Sequence, residues 1–154
     1  MNQPLLIGLT IITGGLAYML YRSTLPRGVR NNNPLNIRDS ANDWEGKSGF
    51  NRDKEFEEFK HPVYGFRAGA RILRSYSRQG YKTLSQMIYR FAPDNENDTA
   101  LYVQQISQWT GISPNQTVDV NDNDQLAHLL YAMSRKEVGN YYGLSMAQQG
   151  VAMA

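Results

Sequence analysis

Residues 122–139 read DNDQLAHLLYAMSRKEVG, and this stretch decides the fold class. Asp122 or Asn123 can accept from the free N–H groups of a first helical turn, and Gly139 suits the position just past a last one. Between them, apolar residues recur at helical spacing. At about 100° per residue, with Leu126 at zero, Leu130 falls near 40°, Met133 near 340° and Glu137 near 20°. A helix from residue 122 or 123 to 138 therefore buries one face, and a carboxylate sits in the middle of that face. Glu137 also lies in the last turn, where the macrodipole disfavours negative charge. Partial burial and the dipole both push its pKa upward. A carboxyl that keeps its proton near neutrality is suited to general acid catalysis. The alternative is a helix already frayed at Glu137, with the side chain in water.

Three more helices precede it. Residues 62–79 open with Pro62, tolerated in a first turn, and stop at Gly80. Residues 83–92 begin at the capping residue Thr83 and end before Pro93. Residues 98 or 99 to 110 begin at Asp98 or Thr99 and close at Gly111. Residues 141–154 leave room for one further short helix. Residues 44–59 read as hairpin-like, with Gly46 and Gly49 as turn residues and Phe56 and Phe59 as apolar anchors, although residues 54–59 also read as a helix start. Asn31-Asn32-Asn33-Pro34 is a dense turn signal, because Asn tolerates left-handed dihedrals. The expected fold class is α+β, mainly helical.

Ahead of this domain, residues 4–21 (PLLIGLTIITGGLAYMLY) form an uncharged run of eighteen residues. At about 1.5 Å each they span roughly 27 Å, close to the hydrocarbon core of a bilayer. Tyr18 and Tyr21 followed by Arg22 suit an interfacial anchor. Met1-Asn2-Gln3 lacks the basic side chain of a signal peptide, and no good cleavage site follows Tyr18. The expectation is one transmembrane helix over residues 1–22, a linker over 23–27 and a single domain over 28–154. Arg22, Arg27 and Arg30 place that domain on the cytoplasmic side at insertion.

The chain has no cysteine, which excludes a disulfide framework and a thiolate metal site, and it has only two histidines, His61 and His128. No cofactor or metal is expected. A net charge of +2 conceals an asymmetry: residues 22–91 carry fourteen Lys/Arg against seven Asp/Glu, residues 92–154 two against seven. Either the basic half meets a polyanion or the two halves complement each other. Arg67, Arg71, Arg74 and Arg78 share one helix face. Such a stripe meets lipid phosphate, nucleic acid or an anionic wall polymer, or is simply solvated. The cluster Asp94-Asn95-Glu96-Asn97-Asp98-Thr99 reads equally as helix capping and as a second acidic site.

Two blocks carry a resemblance. Arg27-Gly28-Val29-Arg30-Asn31-Asn32-Asn33-Pro34-Leu35-Asn36-Ile37-Arg38 resembles the R-N-N-N-P-G-N-I-R opening of small phage-encoded, lysozyme-like virion-associated proteins. The likeness continues through Trp44-Glu45-Gly46, Phe56, Phe59, Gly65-Phe66-Arg67-Ala68 and residues 92–99. The chain is also similar to bacterial wall glucosaminidases and transglycosylases, which place a catalytic Glu near a helix end; here that helix would be displaced to the C-terminus, as in a circular permutation. Where the phage family has H-E-N-G this chain has Lys136-Glu137-Val138-Gly139, and Leu35 stands in place of Gly. The resemblance implies a lysozyme-like domain with Glu137 as the acid. Glu96, then Asp53 and Glu55, are the candidates for a second carboxylate. Asn32, Asn33, Asn36, Trp44, Asp98 and Thr99 would bind the glycan through amides, hydroxyl and a stacking face.

The expectation that follows is a membrane-anchored, virion-associated peptidoglycan glycosidase, of lytic-transglycosylase or muramidase type, that opens the host wall locally during genome entry. It would sit in the virion membrane or host inner membrane as a single-pass protein. Its partners would be peptidoglycan strands, the bilayer and other virion proteins. One alternative is an inactive structural or wall-binding virion protein. Another is a basic anchor holding the genome to the membrane, although nucleic acid is the partner least expected.

Overall fold

The computed structural model describes residues 15–94 and 98–154. After a helical run over residues 15–24, the described chain forms α1 (Arg27–Arg30), α2 (Pro62–Arg78), α3 (Leu84–Phe91), α4 (Thr99–Thr110), α5 (Asn123–Val138) and α6 (Leu144–Ala152). The helix ends follow from local chemistry. His61 accepts from the Val63 N–H at 3.3 Å ahead of Pro62. Thr83 and Gln86 cap α3 reciprocally, backbone N–H to side chain at 3.0 and 3.3 Å. Asp122 Oδ1 accepts from the N–H groups of Asp124 and Gln125. Gly111 and Gly139 close α4 and α5 at φ 75° and 83°, where a side chain would be strained.

Helix α5 runs through the centre, with Leu126, Leu129, Leu130 and Met133 fully buried. Each such side chain contributes about 2 kcal/mol by leaving water. Phe66 and Leu73 of α2 and Tyr102 and Ile106 of α4 belong to the same core. Helix α6 packs on both α2 and α5. Its approach to α2 is close because Gly150 has no side chain: a Cβ there would come within 2.7 Å of the Val63 carbonyl and 2.9 Å of the Arg67 nitrogen.

Two expectations are corrected here. The fold is helical rather than α+β. Among the described residues there is no strand, and residues 36–60 make only isolated antiparallel bridges, Arg38 with Phe56 and Lys47 with Phe59. Side chains occupy backbone groups that a hairpin ladder would need. Asn33 Nδ2 donates to the carbonyl of Glu57, Asn51 Nδ2 to that of Phe56, and Asp53 Oδ1 accepts from the N–H groups of Glu55 and Phe56. The correction extends to the lysozyme-like α+β architecture that the resemblance implied.

The N-terminal membrane span, and with it the single-pass localisation, is the second correction. Among the described residues no helix is long and apolar enough to cross a membrane. Of residues 4–21, the part up to residue 14 lies outside the described residues; the rest belongs to the run over 15–24. Ser23 and Thr24 then bond back to the carbonyls of Leu20 and Tyr21, and Pro26 follows.

Candidate functional site

Helix α5 holds its geometry through Val138, so Glu137 does not escape into water. Its half-buried carboxyl turns towards two partners from distant parts of the chain. The Tyr102 hydroxyl, on α4, donates to Oε1 at 2.9 Å. Asn36 Nδ2 donates to Oε2 at 3.0 Å. Burial raises the Glu137 pKa, and the two donors and the Lys136 ammonium pull it back without reversing the shift. Burial also lifts the Tyr102 hydroxyl well above its ordinary range, so it remains a donor.

The Asn-rich turn is what aims Asn36. The backbone of Asn36 is left-handed at φ 47°, and its N–H donates to the Asn33 carbonyl at 3.1 Å. Asn33 is fully buried, and its own N–H donates to the Gly28 carbonyl at 2.7 Å. Gly28 lies against Asn36, the Asn33 carbonyl and Val138, with no room for a Cβ. Val138 therefore serves as packing for the turn. Leu35 is fully buried and fills the space that Gly69 leaves on α2.

Glu137 opens onto a cleft of about 510 Å³ whose walls include Arg38, Phe56, Tyr76, Phe91 and Pro93. The Arg38 guanidinium lies 5.2 Å from the Phe56 ring centroid. Among the described lining residues Glu137 is the sole carboxylate. No group of three or more His, Asp or Glu among the described residues could hold a metal ion.

The other candidates fall elsewhere. Asn32 and Asn33 staple the turn: Asn32 Nδ2 donates to the Phe59 carbonyl at 2.9 Å, and both amide atoms of Asn33 are bonded to backbone. Asp98 caps α4 through the Leu101 N–H, and buried Thr99 donates to the Ala92 carbonyl at 2.6 Å. Trp44 is half-buried and lines a neighbouring hollow. Asp53 is clamped by Arg27 at 2.6 Å, which holds its carboxyl well below the usual range, and Glu55 bonds the same guanidinium at 2.7 Å. Glu96 lies outside the described residues.

The arginine stripe divides. Arg67 pairs with Glu45 at 2.7 Å and donates to the Met153 carbonyl; Arg74 donates to Val120, Ala154 and Asn123. Arg71 and Arg78 are exposed. Tyr102 escaped the sequence reading. Its one available signal was a tyrosine beside Val103 and Ile106 on a buried helix face, where a hydroxyl demands a partner.

Fold and site together define a small helical domain with one buried-side carboxyl presented to an open cleft. No family model matches the chain. It is 41% identical over 128 residues to Protein P5 of Pseudoalteromonas phage PM2, a match that covers 80% of this chain and 79% of that protein. The chain therefore belongs to the family of that phage protein.

Proposed function

We propose that the protein is a virion-associated peptidoglycan glycosidase of lytic-transglycosylase type, with Glu137 as its acid. The observation that carries the reading is the carboxyl itself: raised in pKa by burial, fixed by Tyr102 and Asn36, and the sole acid among the described residues of a 510 Å³ cleft. Glu137 would give its proton to the bridging glycosidic oxygen as the C–O bond breaks and the bonding pair stays on that oxygen. The muramoyl 6-hydroxyl then attacks the oxocarbenium-like carbon and returns a proton to the Glu137 carboxylate. Attack by water or the substrate N-acetyl group is the hydrolytic variant. The transglycosylase path needs one carboxyl, which suits a cleft where Asp53 and Glu55 are held away by Arg27.

A second reading, a structural or wall-binding virion protein without chemistry, is favoured by one observation. Both Glu137 oxygens already accept hydrogen bonds, which supports the anion rather than the acid. Purified peptidoglycan decides between them. On the first reading the protein releases 1,6-anhydromuramoyl ends, and Glu137→Gln lowers the rate about 10²–10⁴-fold with an unchanged circular dichroism spectrum. A variant that cleaves as well as the wild type ends the assignment of Glu137. A wild-type protein that releases nothing from a range of walls leaves the structural reading.

A further inference from the structure

The cleft beside Glu137 continues past that residue. A second hollow of about 360 Å³ shares Ile37, Arg38, Ile72 and Tyr76 with it and runs on to Trp44 and Arg71. Arg71 lines this second limb, and among its described residues there is no Asp or Glu. The arginines of α2 on either side of Arg71 are committed: Arg67 to Glu45 and the Met153 carbonyl, Arg74 to Val120, Ala154 and Asn123. Arg71 is exposed and, among the described residues, has no hydrogen bond or ion pair. The groove thus has an acid at one end, aromatic faces from Tyr76 and Trp44 along it, and the unpaired Arg71 guanidinium at the other.

A glycan backbone of N-acetylated sugars is uncharged between its pendant groups. In wall polymer the negative charge sits on the carboxylates of the peptide stems, displaced from the glycosidic bonds. The charge distribution of the groove is complementary to that arrangement. We infer that the limb at Trp44 and Arg71 is a subsite for stem-peptide carboxylates, so that the protein selects peptide-bearing strands over bare glycan. The inference rests on the glycosidase reading for the identity of the strand, but its binding arm does not require cleavage.

The test uses the full chain and two probes, glycan strands with stems intact and the same strands after amidase removal of the stems. The wild type should act at least about tenfold better on intact strands, the effect of one charge-assisted hydrogen bond. Arg71→Gln should lose most of that preference and match the wild type on bare strands; Arg71→Lys should keep part of it. Cosedimentation of Glu137→Gln with the two strand types reads the same preference without chemistry. If neither strand is cleaved, the glycosidase reading fails, while stem-dependent binding lost in Arg71→Gln still upholds the subsite. Equal action and equal binding on both strands overturn it. Competition by a phosphate-linked polymer as strong as that by a muropeptide of equal charge overturns it too, because the limb is then a general polyanion site.

Discussion

Tyr102→Phe removes one oxygen and leaves the ring in place. The side chain is almost fully buried, and its hydroxyl donates to Glu137 Oε1 at 2.9 Å. A hydrogen bond to a charged group contributes about 1.5–3 kcal/mol, and a neutral pair about 1 kcal/mol. The Glu137 pKa is raised by burial, and the Tyr102 bond is the largest of the forces opposing that rise. Without it the carboxyl climbs further, by one unit for about each 1.4 kcal/mol of lost support for the anion. Folded Glu137 holds its proton more tightly than the unfolded chain does. Stability is therefore greatest below the ordinary value of 4.5 and falls as the pH rises through the folded value. Removing the hydroxyl deepens that fall. The variant should lose about 1 kcal/mol at pH 4 and about 1.5–3 kcal/mol at pH 8, the range for a hydrogen bond to a charged group. Urea unfolding of both proteins at the two pH values measures this, since other titrating groups cancel in the difference. A penalty equal at pH 4 and pH 8 refutes a bond between this hydroxyl and an ionised carboxylate.

Other perturbations test the parts around it. Glu137→Gln should raise stability by about 0.5–1 kcal/mol at pH 8 and leave it unchanged at pH 4, because a neutral isostere avoids the desolvated charge; the same urea series reports it. Gly28→Ala drives a Cβ to 2.6 Å from the Asn33 carbonyl and from Val138, and should cost about 1–3 kcal/mol in thermal or chemical unfolding. Arg74→Gln breaks bonds to Val120, Ala154 and Asn123 and should lower the melting temperature by roughly 4–8 °C. Arg71→Gln, on the same helix face but exposed, should stay within about 0.5 kcal/mol of the wild type.

What could be read in the sequence was what depends on neighbours a few residues away. Thr83 with Gln86, Asp122 ahead of α5, and Gly111 and Gly139 behind α4 and α5 mark helix ends within a residue or so, because capping is local. The inward aim of Glu137 was legible for the same reason, as a matter of helical angle. Its partners were not, since nothing in α4 or the Asn-rich turn announces a contact with the end of α5. The arginine stripe misled in a related way. Periodicity places Arg67, Arg71, Arg74 and Arg78 on one face, but only the folded chain brings residues 153–154 and Val120 to two of them. Residues 44–59 failed as a hairpin because turn-forming signals in Gly46 and Gly49 say nothing of Asn33, Asn51 and Asp53, whose side chains occupy the backbone groups a ladder needs.

The contacts of Glu137 span very different lengths of chain. Tyr102 is 35 residues away, Asn36 is 101. Closing the longer loop costs about 0.9 kcal/mol more chain entropy than closing the shorter, so the Asn36 contact is the harder to nucleate and belongs to the later stages of folding. Until both loops are closed, residue 137 is an ordinary solvated glutamate at the end of a lone helix. The perturbed carboxyl is thus a property of the folded chain: a copy truncated beyond Asn36 carries the same side chain without one of its two donors.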